Sequence, residues 1–175
     1  NITTLTGSAA DINTAYASSG ISNLGNEAVN VNSGTASTSQ ANTLAAATSG
    51  VVTATISDGD VATLAGLTET GNAYTITITD SSVAAAALNA LDGKTTVAIN
   101  ASNITNLTGA AADLNTTYTA SGNGSITGLG NEAVTLSDTT LAVSVLNTLD
   151  GNTSGTIDAS SINTLSGSAV DLVTA

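Results

Sequence analysis

Two near-identical phrases hold the residues of this chain best placed to do chemistry. Ile21-Ser-Asn-Leu-Gly-Asn-Glu-Ala-Val29 returns as Ile126-Thr-Gly-Leu-Gly-Asn-Glu-Ala-Val134, each time with a carboxylate among glycines. Such a turn could offer oxygen ligands to calcium, and the Asn26-Glu27 and Asn131-Glu132 turns are as good candidates for it as the aspartates. A phosphate loop is a poorer fit. GLGNEA lacks the lysine of a P-loop and the third glycine of a dinucleotide fingerprint, and it precedes a strand instead of joining strand to helix. Neither a calcium nonapeptide of the Gly-Gly-x-Gly-x-Asp kind nor an EF-hand loop occurs, so calcium is at most structural and no metal ligand is assigned.

Most of the other acids also recur. Asp11, Asp113 and Asp171 occupy one repeated position, Asp58, Asp80 and Asp138 a second, and Asp92 and Asp150 a third. An active site needs a unique constellation whose groups are driven to different pKa values, whereas each of these acids has a twin with the same local task. Helix capping and first-turn dipole pairing suit the first two sets, and an Asp-Gly helix exit suits the third. With no histidine and no cysteine in the chain, a Ser-His-Asp triad and zinc, haem or iron–sulfur chemistry are unavailable. The expectation is a protein that is not an enzyme, with no catalytic, cofactor or metal residues. Sequons such as Asn106-Leu-Thr108 and Asn152-Thr-Ser154 are what an Asn- and Thr-rich composition produces by chance.

The elements that carry these residues form a repeat. Asn1-Ile-Thr-Thr-Leu-Thr-Gly-Ser-Ala-Ala-Asp-Ile12 returns at Asn103–Leu114 and at Ser161–Leu172, and Leu88-Asn-Ala-Leu-Asp-Gly93 returns as Leu146-Asn-Thr-Leu-Asp-Gly151. Both lie within a shorter unit of aliphatic, small or acidic, then aliphatic residues: Ile56/Asp58/Val61, Ile78/Asp80/Val83, Ile99/Ala101/Ile104, Leu136/Asp138/Leu141 and Ile157/Ala159/Ile162. Successive anchors are 21 or 22 residues apart, except for one enlarged coil of 37 that holds the second Gly-Asn-Glu phrase.

The unit begins with period-2 alternation and then changes period. In Ala73–Thr79 the pattern turns Ile76 and Ile78 inward and Thr75, Thr77 and Thr79 outward. Across 81–92 the spacing of Val83, Ala87, Leu88 and Leu91 predicts a helix, capped by Asp80 and closed by a left-handed Gly93. Leu141, Val145, Leu146 and Leu149 predict a second over 140–150, between Asp138 and Gly151. A short strand and helix cannot bury its apolar side alone, but stacked copies can. The fold expected is an α/β solenoid, residues 1–175 forming one repeat domain of about seven elongated, right-handed coils. An all-β solenoid is the alternative, disfavoured by alanine's helix propensity. The spacing is close to that of leucine-rich repeats, without their Asn ladder. Leu24/Leu129 and Val29/Val134 read as apolar pegs returning the enlarged coil to the stack, with the three extra residues of its second copy absorbed in a loop. Thr55, Thr77, Ala98, Thr135 and Thr156 read as one row on the outer face.

Composition narrows the partners. The apolar share is 41%, enough for a core, yet it contains no Phe, Trp, Met, Cys or Pro and suits thin identical layers. A formal charge of -12 with one Lys and no Arg repels phosphate, so neither nucleic acid nor an anionic membrane is an expected partner. No apolar run approaches the ~20 residues of a spanning helix. One tryptic site and no oxidisable sulfur suit an extracellular life. The first and last residues read as the middle of a pattern, as in an excerpt of a longer repetitive chain.

LTGSAADINTAY, GLGNEAVTLSD, LNTLDGNTSGTIDAS and TGNAYTITITDSSVAAAALNALD together resemble the tandem repeats of very large secreted or cell-surface proteins of marine bacteria, cyanobacteria among them, described as haemolysin-like or adhesin-like. The resemblance covers nearly the whole chain. It implies a structural or adhesive extracellular polymer and carries over no catalytic residues. The function expected is the repeat unit of a surface layer or filament that associates head to tail through its ends. An adhesive module for glycan, ice or a host surface is the alternative.

Overall fold

The computed structural model describes residues 2–168 and Val170. The chain forms two compact units, Asn1–Thr77 with Ala90–Ile99 and Ile78–Asn89 with Asn100–Ala175. Its architecture is mixed α/β with parallel sheets.

In the first unit β1 (Thr4–Gly7), β2 (Ala28–Val31), β3 (Val52–Thr55) and β4 (Ala73–Thr75) pair in chain order into one parallel sheet. Parallel neighbours need a crossover, and three helices supply it: α1 (Ala9–Ala17), α2 (Thr38–Ala47) and α3 (Val61–Leu64). Leu5 is level with Val29, Val29 with Val52, and Ala54 with Tyr74. The core is thin: Val29, Val52 and Tyr74 from the sheet, with Ile12, Leu44 and Leu64 from the helices, are all buried. Each helix starts on a side-chain cap. Ser8 Oγ accepts the Asp11 N–H at 3.1 Å, Ser37 and Gln40 form a reciprocal capping box, and Asp60 accepts the Thr63 N–H at 2.8 Å.

The chain continues through β5 (Ser82–Ala84) into α4 (Ala85–Asp92), then β6 (Ile99–Asn100), β7 (Asn106–Gly109) and α5 (Ala111–Asn123). It then forms β8 (Ile126–Thr127), β9 (Ala133–Leu136), β10 (Thr140–Ala142), α6 (Val143–Asp150), β11 (Ile157–Asp158) and β12 (Thr164–Ser166). In the second unit a four-stranded sheet runs β5-β7-β9-β11, and short ladders join β6 to β8 and β10 to β12.

The alternation of Ala73–Thr79 holds: Ile76 and Ile78 are buried, while Thr75, Thr77 and Thr79 are exposed. The Ala-rich segment is helical, which removes the all-β alternative. The helices begin later than expected, however, at Ala85 and Val143 instead of 81 and 140. Val83 and Leu141 lie in strands, level with Leu107 and Leu165. Backbone pairing with a neighbouring parallel strand outweighs the local helix preference of so short a run. Asp80 therefore lies too far upstream to cap α4. Gly93 is not in the left-handed region, and Gly151 has φ −68°, so both helices end without the expected glycine cap.

The strand register also differs. Val134, not Leu136, is opposite Ile157, and Ile56 donates its N–H to the Thr75 carbonyl at 3.0 Å, which puts it level with Ile76 instead of Ile78. Both are shifts of two residues. A shift of two keeps every side chain on its own face, so the inside–outside pattern cannot detect it. The threonine row dissolves for the same reason, since Thr55 is opposite Thr75 and Thr135 opposite Asp158.

Candidate functional site

The two Gly-Asn-Glu phrases build the same small polar cluster, one in each unit. Glu27 and Glu132 stand immediately before strands β2 and β9 and are 1% and 2% exposed, the least accessible acids among the described residues. The Tyr16 hydroxyl at the end of α1 donates to Glu27 Oε1, and the Tyr118 hydroxyl on α5 donates to Glu132 Oε1 at 2.5 Å. The turn supplies the remaining donors. The N–H groups of Gly25 and Asn26 point at Glu27 Oε2 at 3.0 and 3.3 Å, and those of Gly130 and Asn131 at Glu132 Oε2 at 2.8 and 3.1 Å. Gly25 and Gly130 have φ 124° and 121°, a region that favours glycine and turns these N–H groups onto the carboxylate.

The segment that leads into the neighbouring strand closes each cluster from the other side. Thr48 Oγ1 donates to the Glu27 carbonyl at 2.6 Å and accepts the Gly50 N–H at 3.0 Å. Thr153 repeats this with the Glu132 carbonyl at 2.7 Å and the Gly155 N–H at 3.0 Å. A Cβ on Gly50 or Gly155 would overlap the carbonyl of Glu27 or Glu132, so only glycine lets the strands approach this closely. Each device is thus a Tyr-Glu-Thr-Gly clamp tying a helix end, a turn and the segment before the next strand of the sheet.

Hydrogen bonding governs the charges. Burial alone would raise the pKa of Glu27, but the donors from Tyr16, Gly25 and Asn26 outweigh it and hold the carboxyl below its ordinary 4.5. Burial, together with the bond to the carboxylate, pushes Tyr16 up to about 12 and raises Tyr118 as well. The first clamp is a phenol held neutral beside a carboxylate held charged.

A third position has the same backbone and different chemistry. Thr95 Oγ1 donates to the Tyr74 carbonyl at 2.7 Å and accepts the Val97 N–H at 3.1 Å, so Tyr74 stands where the glutamates stand elsewhere. Its side chain is 1% exposed and its buried hydroxyl has no hydrogen-bond partner. Burial, with Glu69 adding to it, lifts its pKa to about 12.

These geometries revise the reading of the acids. The glutamates, more than the half-buried Leu24 and Leu129, are the pegs of the phrase, and Val29 and Val134 are buried beside them. Their oxygens face donors of the chain itself, which leaves no outward carboxylate for calcium. Among the described residues no three acidic side chains gather as a metal set would require. Asp11 and Asp113 lie in the first turns of α1 and α5 as expected, and Asp92 and Asp150 end α4 and α6. Asp171 lies outside the described residues. Asp58 and Asp138 do cap helices, but helices earlier in the chain: they accept the N–H of Thr38 and of Ala111, each at 2.7 Å. Lys94 reaches back to the Thr68 carbonyl at 3.1 Å.

Tyr16, Tyr118, Thr48 and Thr153 are the clamp residues that sequence reasoning missed. One signal was available: Thr-Ser-Gly stands 21 residues after each glutamate, at Thr48 and at Thr153. No helix among the described residues is long and apolar enough to cross a membrane. The chain matches no protein-family model, no curated protein and no solved structure.

Proposed function

We propose that the chain is a non-enzymatic α/β solenoid segment, a repeat unit of an extracellular layer or filament that associates head to tail. The observation that carries this reading is the chain-order parallel sheet, in which Thr4, Ala28, Val52 and Ala73 each open a strand hydrogen-bonded to the next. Such an arrangement adds coils without changing its plan. The polar residues support it too, because they join neighbouring coils: Asp58 to Thr38, Thr48 to Glu27, and Asn42 Nδ2 to the Gly66 carbonyl at 2.8 Å. A composition free of Cys and Met and nearly free of Lys and Arg fits exposure to oxidants and proteases outside a cell. Electron microscopy of the purified chain at rising concentration tests this. Fibres or sheets are the expected result, and uniform single particles at every concentration would overturn it.

A second reading has an observation of its own. On the outer face of the first sheet Thr6, Asn30 and Thr53 follow one another in register, and Thr55 stands opposite Thr75. A flat row of hydroxyl and amide groups suits adhesion to a polar surface. Threonine-to-valine changes there, such as Thr53→Val with Thr75→Val, would abolish adhesion to glycan or ice and leave assembly intact.

A further inference from the structure

Three places in the chain share one backbone arrangement. Ser49, Thr96 and Ser154 donate their N–H groups to the carbonyls of Gly25, Asn72 and Gly130 at 2.8, 2.9 and 2.9 Å. The threonine one residue earlier donates its hydroxyl to the carbonyl of Glu27, Tyr74 or Glu132, in each case 21 residues back. Gly25, Glu27, Thr48 and Ser49 thus correspond to Asn72, Tyr74, Thr95 and Thr96 at a constant offset of 47 positions. The offset carries on into the sheet, where Val29 and Val52 correspond to Ile76 and Ile99, all four buried.

The second copy of the phrase has no such interval. Glu132 runs directly into Ala133-Val-Thr-Leu-Ser-Asp138, which matches Thr75-Ile-Thr-Ile-Thr-Asp80 standing 58 positions earlier. Thr153-Ser-Gly155 matches Thr95-Thr-Val97 at the same offset. Joining Glu27 to Thr75 would therefore write the order of the second copy into the first. The segment Ala28–Tyr74, which holds β2, α2, β3 and α3, stands in the chain as an insert between two equivalent points.

One residue breaks the match. Two positions after the threonine, the glutamates face Gly50 or Gly155, where a Cβ would overlap the glutamate carbonyl, whereas Tyr74 faces Val97. Thr95 Oγ1 there takes the Tyr74 N–H at 3.0 Å besides donating to the Tyr74 carbonyl at 2.7 Å, and Val97 stands half-buried beside them. We propose that Ala28–Tyr74 is an excisable cassette and that Val97 fixes its place, because valine fits beside Tyr74 and would strike the carbonyl of Glu27. Three such similar arrangements in one chain invite a strand to take the wrong neighbour. Inward–outward alternation gives no protection, since equivalent points present the same face. An overlap between a Cβ and a backbone carbonyl does, because neither atom can swing aside. The inference concerns strand order within one chain and does not depend on association between chains.

The test joins Glu27 to Thr75 in the otherwise complete chain, once with Val97 and once with Val97→Gly, and sets both beside the full chain with and without Val97→Gly. Urea denaturation followed by circular dichroism compares them. The shortened chain with Val97→Gly is expected to unfold cooperatively, with an unfolding equilibrium constant smaller by about tenfold or more than that of the shortened chain with Val97. In the full chain the same substitution gives no gain. Tyrosine absorbance supplies a local readout, because removing Tyr74 leaves Tyr16 and Tyr118: a rebuilt first clamp keeps both titrating above the ordinary value of 10. An equal effect of Val97→Gly at both lengths would place it in the local backbone at Val97 and overturn the proposal. If neither shortened chain folds, the two points are not equivalent and the proposal falls as well.

Discussion

The phrase at Ile21–Val29 and the phrase at Ile126–Val134 make the same clamp from unequal surroundings. In the first, α1 ends at Ala17 with an extended Ser18, and the turn tolerates Asn23 at φ 63°. In the second, α5 runs to Asn123 and closes on left-handed Gly124, and Gly128 takes the matching position at φ 87° against the backbone of Ser102. Tyr118 is 7% exposed, whereas Tyr16 is only half-buried. The clamp is therefore the invariant part, and the helix end and the outward turn vary with what lies against them. The three extra residues of the second copy lengthen a helix and do not enlarge a loop, because the clamp fixes where Tyr and Glu must meet.

The harshest way to break the comparison is to fill the space that both clamps leave. Gly50→Ala and Gly155→Ala each push a methyl group into a glutamate carbonyl, and backbone cannot swing aside as a side chain can. Each should cost about 3 kcal/mol or more in chemical denaturation. Equal losses would show one device used twice. A loss in only one would mean that the two carbonyls are held by different forces.

Removing the phenol hydroxyl separates the copies by burial. Tyr118→Phe leaves Glu132 buried with one donor fewer, which should cost about 2 kcal/mol, whereas water can reach the half-buried site of Tyr16→Phe and limit the loss to about 1 kcal/mol. Thermal melts of the two variants give the ratio, and an inverted order would refute the assignment of the second clamp as the drier one.

Titration sharpens the same contrast. Tyr16 has a raised folded pKa, so its neutral form is favoured by folding: the contribution is whole below the ordinary value of 10 and is lost as pH rises toward about 12. Glu27 is shifted the other way. Its contribution is whole above 4.5 and is lost as pH falls through the depressed folded value. Stability plotted against pH should decline at both ends, and Tyr16→Phe should make the alkaline limb shallower, with Tyr74 and Tyr118 carrying the rest. An unchanged alkaline limb would remove Tyr16 from its sources.

Much of this was written in the sequence, and the exceptions have a common physical origin. Ile76 and Ile78 point inward because alternation encodes a face. The pairing of Val134 with Ile157 was hidden because a two-residue shift preserves that face. Helix α4 was legible from Ala85 onward, but Ser82–Ala84 became a strand through pairing with β7, a neighbour that local propensity cannot see. The glutamates were noticed for their repetition. Their partners lay 11 to 21 residues away in other elements, where only the recurrence of Tyr and of Thr-Ser-Gly at matched distances could have pointed to them.

The smallest expected effect concerns the cross-coil caps. Asp58 and Asp138 accept the first N–H of α2 and of α5 at the same 2.7 Å, yet their helices are not equally supplied. α2 also has the Ser37–Gln40 capping box, whereas α5 has Ala110 at its N-cap with no side-chain cap of its own. Asp138→Ala therefore strips α5 of the carboxylate that meets its first N–H and should cost about 1.5 kcal/mol, while Asp58→Ala should cost about 0.5 kcal/mol. The sequence suggests the rescue. Ser8 and Ser37 stand where Ala110 stands, so Ala110→Ser in the Asp138→Ala background should recover about 1 kcal/mol by capping α5 from its own coil. Urea denaturation of the unmodified chain, Asp138→Ala, Ala110→Ser and the double variant gives the cycle. Failure of Ala110→Ser to restore stability would mean that Asp138 holds the two coils together and is not a cap that a nearer side chain can replace.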